Sequence, residues 1–89
     1  MKTCKSILIT GASSGIGAAL ALAYAQEGNF LALCGRSTER LGDITELCRK
    51  KGAMVDIEII DVTDEKSISN WIQQIDKKRA LDLVIANAG

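Results

Sequence analysis

The 89 residues carry 11 Lys and Arg against 11 Asp and Glu, a formal net charge of zero, with 47% hydrophobic residues and one each of Trp, Tyr and Phe. That length holds one small domain at most, and the charge balance gives no reason to expect nucleic acid or an anionic membrane surface as partner. Histidine is absent, which excludes a His-containing metal site or a Ser-His-Asp triad within the chain; no apolar run reaches the length of a membrane span, and Lys2 and Lys5 precede too short an apolar stretch for a signal peptide.

The first predicted element is a short apolar strand, Ile7 to Thr10. It runs into Thr10-Gly11-Ala12-Ser13-Ser14-Gly15-Ile16-Gly17, and an alanine-rich helix is expected from Ile16 to Glu27, closed by Gly28-Asn29. Gly11, Gly15 and Gly17, with Ser13, Ser14 and Ile16 between them, therefore occupy a strand-to-helix turn. Glycine has no Cβ, so backbone N–H groups there can approach a pyrophosphate, and the helix end offers unpaired donors and a positive dipole to the same anion. Tight helix–strand packing is the other use of such a turn. A Walker-type loop is disfavoured, because no Gly-Lys-Ser/Thr ends the segment and no lysine lies between Thr10 and Arg36.

A second strand, Phe30 to Cys34, leads to Gly35-Arg36-Ser37. In a dinucleotide fold this position reads the adenosine ribose, a carboxylate accepting from a free 2′-hydroxyl and an arginine pairing with a 2′-phosphate. Arg36 points to NADP(H), since a guanidinium forms a bidentate charge-assisted pair with phosphate. The competing reading is a surface arginine paired with Glu39. A helix follows over Thr38 to Lys50, with Ser37 or Thr38 as cap and Lys51-Gly52 as its end.

The third strand, Met54 to Ile60, alternates Val55, Ile57 and Ile59 with Asp56 and Glu58, so one face is expected to be wet or near an edge. At its end, Asp61-Val62 serves either as an acceptor for an adenine amino group or as a turn into the next helix. That helix is expected over Asp64 to Lys78 with Thr63 as N-cap, and Ile68, Trp71, Ile72 and Ile75 forming its apolar stripe. Trp71 reads as core rather than as a stacking platform, and Lys77-Lys78-Arg79 as a solvated helix end rather than a ligand patch. A fourth strand, Asp82 to Ala86, ends in Asn87-Ala88-Gly89. Strands one, two and four read as apolar runs suited to burial on both faces. Strand four is expected beside strand one, where small residues would let a nicotinamide ribose approach, or would simply turn the chain.

Strand and helix alternate throughout, which predicts an α/β fold, a Rossmann-type doubly wound parallel sheet of about four strands and three helices. Cys4, Cys34 and Cys48 are odd in number and scattered, as reduced thiols in a cytoplasmic setting would be, and Cys34 and Cys48 read as small core hydrophobes.

Taken in order, Thr10 to Gly17, Arg36, Asp61-Val62 and Asn87-Ala88-Gly89 resemble the short-chain dehydrogenase/reductase family over the whole chain. Ser14 departs from the Gly-x-x-Gly-x-x-Gly of the family's extended branch, and Ala86 stands where many relatives have a second Asn. The resemblance implies that residues 1–89 are the N-terminal part of one dinucleotide-binding domain in a homo-oligomeric oxidoreductase. Ser13, Ser14 and Ile16 would line the pyrophosphate and ribose, Arg36 the 2′-phosphate, Asp61 and Val62 the adenine, and Asn87, Ala88 and Gly89 the nicotinamide ribose. The family's chemistry also needs a Ser and a Tyr-x-x-x-Lys. Tyr24 is the one tyrosine and has Gly28 four residues on, so the chain is expected to be an inactive fragment of the enzyme. Two other readings stay open: a non-catalytic nucleotide-binding or truncated regulatory module, and an interaction domain that uses the apolar fourth strand as an edge.

Overall fold

The computed structural model describes residues 5–13 and 15–87. Strands β1 (Ser6–Ile9), β2 (Phe30–Gly35), β3 (Met54–Ile59) and β4 (Leu83–Ile85) alternate with helices α1 (Gly15–Tyr24), α2 (Thr38–Lys50) and α3 (Glu65–Lys78). The four described strands form one parallel sheet in the order β3-β2-β1-β4, with Ile9 opposite Leu33 on one side and Ile85 on the other.

The period of two along a strand sorts its side chains between two faces. Ile7 and Ile9 of β1 and Leu31 and Leu33 of β2 join Ala21, Leu41 and Cys48 in the core beneath α1 and α2. Their neighbours Leu8, Phe30, Ala32 and Cys34 pack on the opposite face against Trp71 and Ile75 of α3. Both central strands are therefore unbroken apolar runs, as expected for parallel strands covered on both faces. Cys34 and Cys48 are buried free thiols, and burial is the main influence pushing both up from the ordinary thiol pKa.

β3 lies at one edge, and its alternation follows: Val55 and Ile57 pack towards α1 and α2, while Met54, Glu58 and Ile59 are exposed. β4 departs from the expectation of two buried faces. It lies at the other edge with β1 as its one partner, so Leu83 and Val84 are exposed and Ile85 alone packs into the α1–α2 side.

Two helix ends differ from their expected positions. α1 stops at Tyr24 rather than Glu27, because the buried Asn29 donates its side-chain amide to the Tyr24 carbonyl at 2.9 Å while accepting from the Lys5 N–H at 3.1 Å. The chain needs Gly28 at φ +89° to make that return. α3 is capped by Asp64, not Thr63. Asp61 takes both the Thr63 N–H (2.9 Å) and its hydroxyl (2.8 Å), which leaves Asp64 to accept from Ser67 N–H at 3.2 Å and Ser67 Oγ at 2.7 Å. Ser37 caps α2, accepting from Arg40 N–H at 3.2 Å. At the far end of α3, Lys77, Lys78 and Arg79 are all exposed, and the Arg79 guanidinium lies 4.7 Å from the centre of the Phe30 ring.

Candidate functional site

The chain leaves β1 through Thr10, which is buried and ties two strand ends together. Its N–H donates to the Ile85 carbonyl at 3.0 Å, and its hydroxyl accepts from the Asn87 N–H at 2.9 Å. Asn87 answers with its own side chain, donating Nδ2 to the Gly11 carbonyl at 3.2 Å. Gly11 sits at φ +64°, and a Cβ there would lie 2.7 Å from the Asn87 carbonyl oxygen. Gly17, in the first turn of α1, is buried so closely that a Cβ would run into the Gly11 carbonyl oxygen and come within 2.8 Å of Asn87 Nδ2. Gly15 is needed for a different reason: its φ is +58°, but nothing lies within 4 Å of where its Cβ would be.

The end of β2 forms the other wall of this turn. Ala12 N–H donates to the Cys34 carbonyl at 2.8 Å, and Gly35 has no Cβ where one would press on Ser13 Oγ at 2.7 Å. The turn is thus packed between the ends of β1, β2 and β4 and delivered against the head of α1. Ile16 is exposed there, and α1 carries no acidic side chain in its first turn. An anion at that end meets helix amides and no opposing carboxylate. Ser14, Ala88 and Gly89 lie outside the described residues.

Beyond β2, Arg36 projects into solvent, its side chain 77% exposed. Its guanidinium is 3.8 Å from Asp61, not paired with Glu39. The two hydrogen bonds from Thr63 hold the Asp61 carboxyl below the usual aspartate range, with a smaller contribution from Arg36. The structure therefore brings Asp61 together with Arg36, one residue beyond the Gly35 against which Ser13 is seated. Val62, the next residue, lines a mostly apolar cavity of about 290 Å³ with Ile68, Ile72, Val84 and Asn87, between α3 and β4. A second hollow of about 360 Å³ opens beside β3, but Glu58, Asp61 and Asp64 line it, so it suits phosphate poorly.

Three contributors escaped the sequence reading. Gly35 was legible as a small residue before Arg36 but not as the seat of Ser13. The Thr10–Asn87 exchange joins residues 77 apart in sequence. Thr63 acts through Asp61, for which the Asp-x-Thr spacing was the available signal. Tyr24 packs against the core beneath α1, away from the strand ends.

A parallel sheet whose chain runs outward from β1 to β3 and then returns to the other side at β4, with a glycine turn at that reversal, is a Rossmann-type dinucleotide fold. The family model for short chain dehydrogenases matches residues 5–89, and the chain belongs to this family. It is 38% identical over 90 residues to an uncharacterized oxidoreductase of Mycobacterium tuberculosis, covering 98% of this chain and 36% of that protein. Among solved structures, the L-sorbose reductase of Gluconobacter frateurii in complex with NADPH and L-sorbose superposes with a TM-score of 0.83 at 31% identity, over 98% of this chain and 34% of the other. An NAD⁺-bound xylitol dehydrogenase gives 0.79 at 31% identity, over 90% and 31%. The chain thus spans about a third of the length of each of these three proteins. Among the described residues, no helix is long and apolar enough to cross a membrane.

Proposed function

We propose that the turn at the head of α1 holds the diphosphate of a nicotinamide dinucleotide, and that NADP(H) is preferred over NAD(H). The observation that carries this reading is the pair Gly11 and Gly17. Each is packed where a Cβ would strike backbone, so the turn can lie flat against the start of α1 and turn its amides towards an anion. Ser13, Ser14, Gly15 and Ile16 complete that cradle. Arg36 supplies the cation for a 2′-phosphate, Asp61 and Val62 border the adenine, and Asn87, Ala88 and Gly89 border the nicotinamide ribose. Relatives with bound NADPH and with bound NAD⁺ both exist, so the preference rests on Arg36 standing directly after β2, in a stretch from Phe30 to Thr38 whose sequence has no Asp or Glu.

The whole protein is an oxidoreductase moving hydride between the nicotinamide ring and a carbonyl or alcohol carbon, and the ring supplies that chemistry when bound. These residues bind and orient; proton transfer falls to a Tyr-x-x-x-Lys that the 89 residues do not contain, so alone they are inactive. Two buried free thiols fit a reducing, cytoplasmic setting. The test is calorimetric titration of the intact gene product with NADPH and NADH. NADPH is expected to bind tighter by about tenfold or more, as a charge-assisted phosphate contact implies. Equal affinities would remove the role given to Arg36, and no binding of either would remove the site.

A further inference from the structure

The cation that reads the 2′-phosphate is not free. Arg36 Nη1 lies 3.8 Å from Asp61 Oδ2, and the carboxylate is not at liberty to swing away, because Oδ1 holds the Thr63 N–H at 2.9 Å and the Thr63 hydroxyl at 2.8 Å. The next carboxylate, Asp64, is similarly anchored by Ser67. A fixed negative charge therefore stands beside the Arg36 guanidinium.

We propose that Asp61 is a specificity-determining residue that restrains the preference for NADP(H) by holding Arg36, an inference that rests on the dinucleotide reading above. A 2′-phosphate entering this end has two routes, and both cost affinity. It can draw Arg36 away from Asp61 and break the ion pair, or share the guanidinium and sit near a carboxylate that cannot retreat. NADH, with a 2′-hydroxyl in place of the phosphate, meets neither cost. The strength of the effect is bounded by the exposure of the pair, since solvated ion pairs are weak and screened by salt. It is therefore a modulation of the ratio between the two cofactors, not an on–off switch.

Asp61→Asn separates this from the adenine role implied by the family resemblance. Asparagine keeps the Oδ1 acceptor for Thr63 and loses the charge. In the intact gene product at low ionic strength, the substitution is expected to raise the ratio of NADPH to NADH affinity by about two- to fivefold, a ratio from which any adenine contact common to both cofactors cancels. The gain should shrink in 0.5 M salt. In an Arg36→Met background the same substitution should leave the NADPH-to-NADH ratio unmoved, because the arginine it acts through is gone. Asp61→Ser, which also retains a short oxygen acceptor, gives the second reading if the asparagine variant folds poorly. A ratio that stays constant, with both affinities falling together through the adenine contact alone, would overturn the inference, and so would a ratio that shifts equally without Arg36. If the unmodified protein binds neither cofactor, the dinucleotide reading itself fails, an outcome distinct from a ratio that does not respond.

Discussion

The two ends of the candidate site are built on opposite physical terms. At the glycine turn, position is enforced by contact: Gly11, Gly17 and Gly35 each face an atom that a Cβ would strike, and Thr10 and Asn87 bind each other across the β1–β4 boundary. At the proposed adenosine end, Arg36 and Asp61 are exposed, 3.8 Å apart, and governed by charge in solvent. In the proposed pose the glycine turn meets the diphosphate and not the 2′ position, so it does not tell a 2′-phosphate from a 2′-hydroxyl. A solvated charge can make that distinction, but only softly. Cofactor binding and cofactor choice should therefore respond to different substitutions.

The largest effect is expected from Gly17→Ala. The new methyl group meets the Gly11 carbonyl and Asn87 Nδ2, all of them pinned by neighbouring elements, so the turn has to move off the head of α1. Overpacking against backbone costs about 3 kcal/mol, and binding of both dinucleotides should be lost together. Denaturant unfolding and calorimetry read the two consequences. Gly15→Asn is the contrasting case: space is open there, and asparagine tolerates positive φ better than other side chains. Its stability should stay within about 1 kcal/mol of the unmodified protein. Equal damage from both substitutions would break the contact-based account of the turn.

Next in size is Arg36→Asp. It should weaken NADPH by about tenfold or more and leave NADH unchanged or improved, because only the phosphate loses a charge-assisted partner. The NADPH preference of the unmodified protein should also fall as salt rises, since the Debye length drops to about 3 Å at 1 M. A preference insensitive to salt would mean that the adenosine end is shaped by packing after all, and the contrast between the two ends would disappear.

What was legible in the sequence follows the same division between local and distant causes. The span of α2 matches its expectation at both ends because its signals are local, Ser37 before it and Lys51-Gly52 after it. The end of α1 was misplaced by three residues because Asn29 reaches back to Tyr24 while held by Lys5, an arrangement visible only once β1 and β2 are adjacent. β4 is as apolar as β2, yet exposed, because burial depends on which strands and helices flank it rather than on its own residues. The glycine turn and Arg36 could be read from spacing. The clamp between Thr10 and Asn87, and the space that Gly35 leaves for Ser13, depend on contacts across the fold.

The smallest expected effect concerns the same charged corner and sharpens its definition. Asp61 and Asp64 are both held below the ordinary aspartate pKa, by hydrogen bonds first from Thr63 N–H and first from the Ser67 hydroxyl respectively. A carboxyl depressed on folding adds stability above its unfolded value, near pH 4, and that addition is lost as pH falls through the folded value. Thermal stability owed to these two groups should accordingly be flat from pH 8 to about pH 5 and fade below about pH 4. Asp64→Ala removes the α3 cap, so the variant should melt below the unmodified protein at pH 7, and the gap between the two should narrow as pH drops. A gap that persists unchanged at about pH 2.5 would show that Asp64 stabilises α3 without its charge, through geometry alone.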